Sequence, residues 1–165
     1  MFLGSFSKII SPGLRVGYIA GDAGIIRKCT VGKQSTDVHT SNLTQAIVDC
    51  FLRDNLLPDH IRSICADYGM KMRLMLNKLD EFPSGVRHTT PQGGLFIWAE
   101  LPDGLNARKL LDRAIEKKVA FVPGTHFCVD GGHENTVRLN FSNSTTDQII
   151  TGMDILNQLV AESIN

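Results

Sequence analysis

The chain has 165 residues, 17 basic and 17 acidic side chains, a formal net charge of zero and 42% hydrophobic content. That apolar share suits one ordinary globular domain, or one and a fraction, with material for a real core. The charge balance argues against a nucleic-acid surface, which needs a basic excess, and no apolar run approaches the roughly 20 residues that span a bilayer.

Residues 1–21 read as a strand, a glycine-punctuated loop and a second strand. The second strand, around Val16–Ala20, is a short apolar run of the kind buried on both faces in a parallel sheet. From Asn42 to Leu57 apolar residues recur at Leu43, Ala46, Ile47, Cys50 and Phe51, the spacing of one helical face. Pro58 opens a long helix with the stripe Ile61, Ile64, Cys65, Tyr68, Met72, Met75 and Leu79, stopped by Phe82-Pro83-Ser84-Gly85. Leu95–Glu100 is the next strand. Asn106 caps a helix with Leu110, Leu111, Ala114 and Ile115 inward, and Val119–Val122 forms a short strand. Val137, Leu139 and Phe141 alternate with Thr136, Arg138 and Asn140, the pattern of a half-buried strand. A final helix starts at Ser144–Thr146, with the stripe Ile149, Ile150, Met153, Leu156, Leu159 and Val160. The expected fold is α/β in three parts: residues 1–57, residues 58–84 as a connecting helix, and a small α+β domain over 85–165.

Cys29, Cys50, Cys65 and Cys128 include no Cys-x-x-Cys pair. With no signal peptide visible in Met-Phe-Leu-Gly-Ser-Phe-Ser-Lys, they fit reduced, mostly buried thiols and a cytoplasmic location. His126, Cys128, Asp130, His133 and Glu134 crowd one loop, but without helical or zinc-ribbon spacing, so no metal is expected. Met70, Met72 and Met75 read as core filler, and Tyr68 as core rather than catalytic. His39 and Asn42 read equally as helix-capping residues or as neighbours of an active site or subunit contact.

The informative stretch is Gly4-Ser5-Phe6-Ser7-Lys8-Ile9-Ile10-Ser11-Pro12-Gly13-Leu14-Arg15-Val16-Gly17. Ser5 and Ser7 sit beside Lys8, and Arg15 follows in backbone shaped by proline and glycine. Hydroxyls and a guanidinium converging near free backbone amides suit an anion, most naturally a phosphate. A lysine in such a positive, partly desolvated pocket loses basicity and becomes nucleophilic enough to condense with an aldehyde. An aldehyde that carries a phosphate describes pyridoxal 5′-phosphate. A lone Ser-x-Ser-Lys is ordinarily a surface feature; the added Pro12-Gly13-x-Arg15-x-Gly17 is far more specific. The glycines of nucleotide-binding loops are missing. On the 136–141 strand Arg138 points away from Val137, Leu139 and Phe141. It therefore faces a cleft, where a guanidinium can grip a carboxylate with two parallel hydrogen bonds.

The Lys8 segment resembles the Schiff-base lysine signature of class I/II aminotransferases, the fold-type I pyridoxal-phosphate enzymes. Lys33-Gln34-Ser35-Thr36-Asp37-Val38-His39-Thr40, Thr90-Pro91-Gln92-Gly93-Gly94-Leu95-Phe96-Ile97-Trp98, Val122-Pro123-Gly124 and Val137-Arg138-Leu139-Asn140-Phe141-Ser142 resemble the same family in the same order. Their wording is most similar to the branch with 2-aminoadipate and kynurenine aminotransferases. The resemblance implies that Lys8 binds the cofactor covalently and shuttles the substrate proton. It further implies that Ser5, Ser7 and Arg15 anchor the phosphate and that Arg138 holds the substrate α-carboxylate. Residues 1–57 then correspond to a remnant of the large cofactor-binding domain, its parallel sheet and hinge helices, and 85–165 to the small C-terminal domain. The family's acidic partner for the pyridine nitrogen normally precedes the lysine; Asp22 and Asp37 follow it and do not match. The implied whole is a longer homodimeric enzyme moving an amino group between an amino acid and a 2-oxo acid such as 2-oxoglutarate. This chain would be its C-terminal part, inactive alone, contacting neither nucleic acid nor membrane. The alternative is the aminotransferase-like pyridoxal-phosphate-sensing domain of a transcription regulator.

Overall fold

The computed structural model describes residues 1–164; Asn165, the last residue of the expected small domain, lies outside the described residues. The chain divides into two units, Met1–Ile64 and Cys65–Asn165.

In the first unit β1 (Phe2–Ser5) pairs with β2 (Gly17–Ala20), Phe2 facing Ala20 and Ser5 facing Gly17. The pair is antiparallel and β2 is exposed along its length, which corrects the expectation of a parallel pair buried on both faces. The reason is the connection. Residues 6–16 form a loop with one short 3₁₀ turn, Pro12–Leu14, whereas parallel strands need a crossover of roughly a dozen residues or more, usually helical.

Three helices follow: α1 (Ala23–Thr36), α2 (Asn42–Arg53) and α3 (Leu57–Leu79), the last running through the boundary between the units. The apolar spacing did not reveal α1. It carries two interior glycines and buries no residue, so its pattern has no stripe to detect. Its visible signal is Asp22, whose carboxylate accepts hydrogen bonds from the Gly24 and Ile25 amides at 2.8 and 3.3 Å. In α2 the expected face is turned outward, with Leu43 71% and Ile47 46% exposed, while Val48 is buried.

The second unit is a four-stranded antiparallel sheet with helices. Its strands are β3 (Arg87–His88), β4 (Phe96–Glu100), β5 (Val122–Pro123) and β6 (Thr136–Asn140), in the order β3-β4-β6-β5. The core joins Met75 and Leu79 of α3 to Ile97 and Ala99 of β4 and to Val137 and Leu139 of β6. Leu110, Leu111 and Ala114 of α4 (Ala107–Glu116), and Ile149, Met153, Leu156, Leu159 and Val160 of α5 (Thr146–Ile164), complete it. Asn106 caps α4, its side chain accepting from the Arg108 and Lys109 amides.

Some details differ from expectation. Two residues of β3 are too few to show a period. The strand expected from Val119 begins at Val122, because Lys118 turns left-handed at φ 63° and the Val119 amide closes α4 by donating to the Ala114 carbonyl at 2.9 Å. Ile115 and Ile150 lie outside the core at 56% and 36% exposure. Thr136 is buried, its hydroxyl donating to the His133 carbonyl at 2.7 Å. Among the described residues no helix is long and apolar enough to cross a membrane.

Candidate functional site

The loop between β1 and β2 winds around one acceptor. The Phe6 carbonyl receives the amides of Ile9, Ile10 and Ser11 at 3.3, 2.8 and 3.2 Å, and the Phe6 amide donates to the Val16 carbonyl at 3.1 Å. The backbone alone therefore holds the turn that carries Lys8. Gly4 lies against the Tyr18 ring, and a Cβ there would clash with Tyr18 Cζ. Tyr18 also packs near Phe2 and Phe6, at 6.0 and 5.5 Å between ring centroids.

The expected anion-binding residues share this loop. The Ser7 amide donates to Ser5 Oγ at 3.1 Å, leaving the Ser5 hydroxyl proton free to point elsewhere. Arg15 takes a left-handed backbone, φ 56° and ψ 36°, directly after the 3₁₀ turn, and its Nη1 donates to the Pro12 carbonyl at 3.1 Å. That bond occupies one of five guanidinium N–H groups. Lys8 is exposed, and among the described residues its amine makes no hydrogen bond or ion pair. A cation, an unspent amine and two hydroxyls within the segment Ser5–Arg15 are a donor set suited to a phosphate beside a carbonyl group.

Arg138 belongs to the second unit, whereas Ser5, Ser7, Lys8 and Arg15 belong to the first. It lies mid-strand on β6, opposite Trp98 on β4 and Val122 on β5. Directly opposed residues share a face, so Trp98, and Phe96 two positions before it, lie on the Arg138 side of the sheet. The guanidinium carbon stands 4.1 Å from the Phe96 ring centroid and 4.5 Å from that of Phe127. Phe127 ends a short 3₁₀ turn, Gly124–Phe127, and meets Trp98 edge to face at 5.8 Å. Nε of Arg138 is buried without a hydrogen-bond partner among the described residues. The outward orientation read from strand alternation is what the structure has. The ring pair was not foreseen, since seeing it needs the register of β4 against β6 together with the path of the turn after β5.

Other conspicuous residues have structural partners. Glu134 accepts from Asn106 Nδ2 at 2.9 Å, bracing the α4 cap, and Cys128 Sγ donates to the Gly124 carbonyl at 3.7 Å. Cys29, Cys50 and Cys65 are exposed and Cys128 is half-buried, which corrects the expectation of mostly buried thiols. His39 Nδ1 lies 2.9 Å from the Thr40 carbonyl. Tyr68 and Met72 pack against the core and Met75 is inside it, but Met70 is 46% exposed and fills nothing. Among the described residues no group of three or more His, Cys, Asp or Glu side chains is arranged to hold a metal ion.

Residues 1–156 match the protein family aminotransferase class I and II. The aromatic-amino-acid aminotransferase 1 of Thermococcus litoralis is 39% identical over 99% of the chain and 40% of its own length. The 2-aminoadipate transaminase of Thermus thermophilus is 42% identical over 93% of the chain and 38% of its length. Among solved structures, the kynurenine aminotransferase of Pyrococcus horikoshii, crystallised with PMP, superposes with a TM-score of 0.93 at 43% identity, covering 99% of this chain and 41% of that one. An HTH-type transcriptional regulator of Bacillus subtilis matches more distantly, at 24% identity over 98% of the chain and 33% of its own length. The chain thus spans about 40% of the aminotransferases it resembles.

Proposed function

Because the chain belongs to the class I and II aminotransferases, we propose that it carries the lysine and the substrate-carboxylate site of a pyridoxal-phosphate-dependent transaminase. The observation that carries this reading is the β1–β2 connection, where an unpaired Lys8 amine follows Ser5, at the end of β1, and Ser7, and Arg15 follows the 3₁₀ turn. Pyridoxal phosphate, when bound, supplies an electron sink for the bond broken at the substrate Cα.

Lys8 would hold that group through Nζ, and Ser5, Ser7 and Arg15 would hold its phosphate. The Lys8 amine moves the proton at the substrate Cα. Arg138 binds the α-carboxylate through its Nη atoms, a group common to amino acid and 2-oxo acid, so one residue serves both halves of the exchange. The acceptor is 2-oxoglutarate, and the working form is a cytoplasmic homodimer longer than this chain. The apolar β2, exposed along its length, supports that last point. The enzyme reading stands above a ligand-sensing regulator because the enzyme relatives share 39–42% identity and the regulator 24%.

Borohydride reduction of the cofactor-loaded protein that carries this chain tests the site. The label is expected on the Lys8 peptide, and a label on Lys33 or another lysine overturns the assignment. The 165-residue chain alone is expected to show little or no transamination; robust turnover would refute the proposed dependence on further polypeptide.

A further inference from the structure

We propose that Phe96 and Phe127 are positioning residues that fix the plane of the Arg138 guanidinium and keep its hydrogen-bond donors unspent for a carboxylate. The proposal rests on the carboxylate-binding role given to Arg138 above.

An arginine can be held in place by hydrogen bonds to its edges or by contacts on its flat faces. Among the described residues the Arg138 side chain makes no hydrogen bond and no ion pair, and Nε is buried without a partner. Its edges therefore do not hold it. Two aromatic rings stand by the guanidinium instead, their centroids 4.1 and 4.5 Å from its carbon, well inside the range of about 6 Å over which an aromatic face attracts a cation. The choice of rings has a chemical consequence. A neighbouring Asp or Glu would orient the guanidinium equally well, but it would occupy the Nη fork and compete with an incoming carboxylate. The negative faces of two phenyl rings stabilise the charge and leave the fork free.

The rings are themselves located by packing. Trp98 backs Phe127 edge to face. Gly124, at the start of the turn bearing Phe127, abuts Trp98 and Thr136 so closely that a Cβ would lie 2.8 Å from Trp98 Cη2. Phe96 is placed by the β4–β6 register. Phe96 and Phe127 are 38% and 47% exposed, so shortening either leaves the core untouched.

The test uses the cofactor-loaded protein that carries this chain, with L-glutamate and 2-oxoglutarate as probes. Phe96→Leu and Phe127→Leu are each expected to raise KM for both compounds about three- to tenfold, with kcat within about threefold and cofactor absorbance unchanged. Phe127→Tyr, which keeps the ring, is expected to restore KM to within about twofold. Combining Phe127→Leu with Arg138→Ala should add nothing to Arg138→Ala alone. Unchanged KM in both leucine variants, a rise for one compound only, or a rise that tyrosine does not reverse would overturn the positioning role. If Arg138→Ala itself leaves both KM values unchanged, the carboxylate role of Arg138 is what fails, and the two failures are told apart by which variant is silent.

Discussion

At the scale of single residues, the two halves of the proposed chemistry use different means of placement. Lys8 is carried by backbone bonds to one carbonyl, whereas Arg138 is carried by side-chain faces. Arg138→Ala is accordingly expected to raise KM for amino acids by roughly ten- to hundredfold, since a charge-assisted bidentate bond contributes about 1.5–3 kcal/mol. Cofactor absorbance should not change, and an unmoved KM would reject the role. Gly124→Ala is expected to be more damaging than its size suggests, because the new methyl meets Trp98 and Thr136. A loss of about 1–3 kcal/mol in urea unfolding is expected. Of these features, the lysine, serines and arginines were legible, because chemistry-bearing residues stand out by type and spacing. The rings of Phe96 and Phe127 were not, because each reads locally as an ordinary apolar residue. Only the pairing of distant strands makes them neighbours of Arg138.

At the scale of elements, α4 and α5 were legible from stripes they bury, α2 from a stripe that lies exposed, and α1, with no stripe, was missed. α4 and α5 bury the residues their spacing indicated, apart from Ile115 and Ile150. α1 has only its cap, so Asp22→Ala should cost it about 1 kcal/mol and show as faster amide exchange in Ala23–Thr36 with little change in β4 or β6. Between α3 and α5, Lys78 bridges Glu81 and Asp154 at 2.9 Å each. The hydrogen bond to Glu81, then that to Asp154, hold its ammonium above the ordinary value of 10.5. A raised value means that the contribution is complete below the ordinary one and fades as pH climbs through the raised one. Lys78→Met should therefore lower the urea midpoint at pH 8. The gap to the parent should narrow above about pH 10.5; a gap constant with pH would show that the bridge is not the cause.

Over the whole molecule, burial is uneven. All eighteen residues of the main core cluster lie in the second unit, and the first unit buries only Val16 and Val48 among its hydrophobic residues. Local stability follows buried apolar contact, so brief trypsin treatment should cut at Arg27, Lys28 and Lys33 while Arg113 and Arg138 stay protected. Equal cleavage rates in both units, read by mass spectrometry, would contradict this. The change from loosely patterned helices to dense alternation after residue 85 is visible in the chain. The unit boundary inside α3 is not, because a continuous helix has no compositional break at Ile64–Cys65.

The turn around the Phe6 carbonyl separates scaffold from reagent. Its shape depends on amides that every non-proline residue possesses, so the identity of the side chain at position 8 is free to vary without moving the peptide that bears it. Lysine analogues with a shorter arm, a thioether or a weaker base can be installed there, and the chemical demands on the amine can be titrated atom by atom on an unaltered frame.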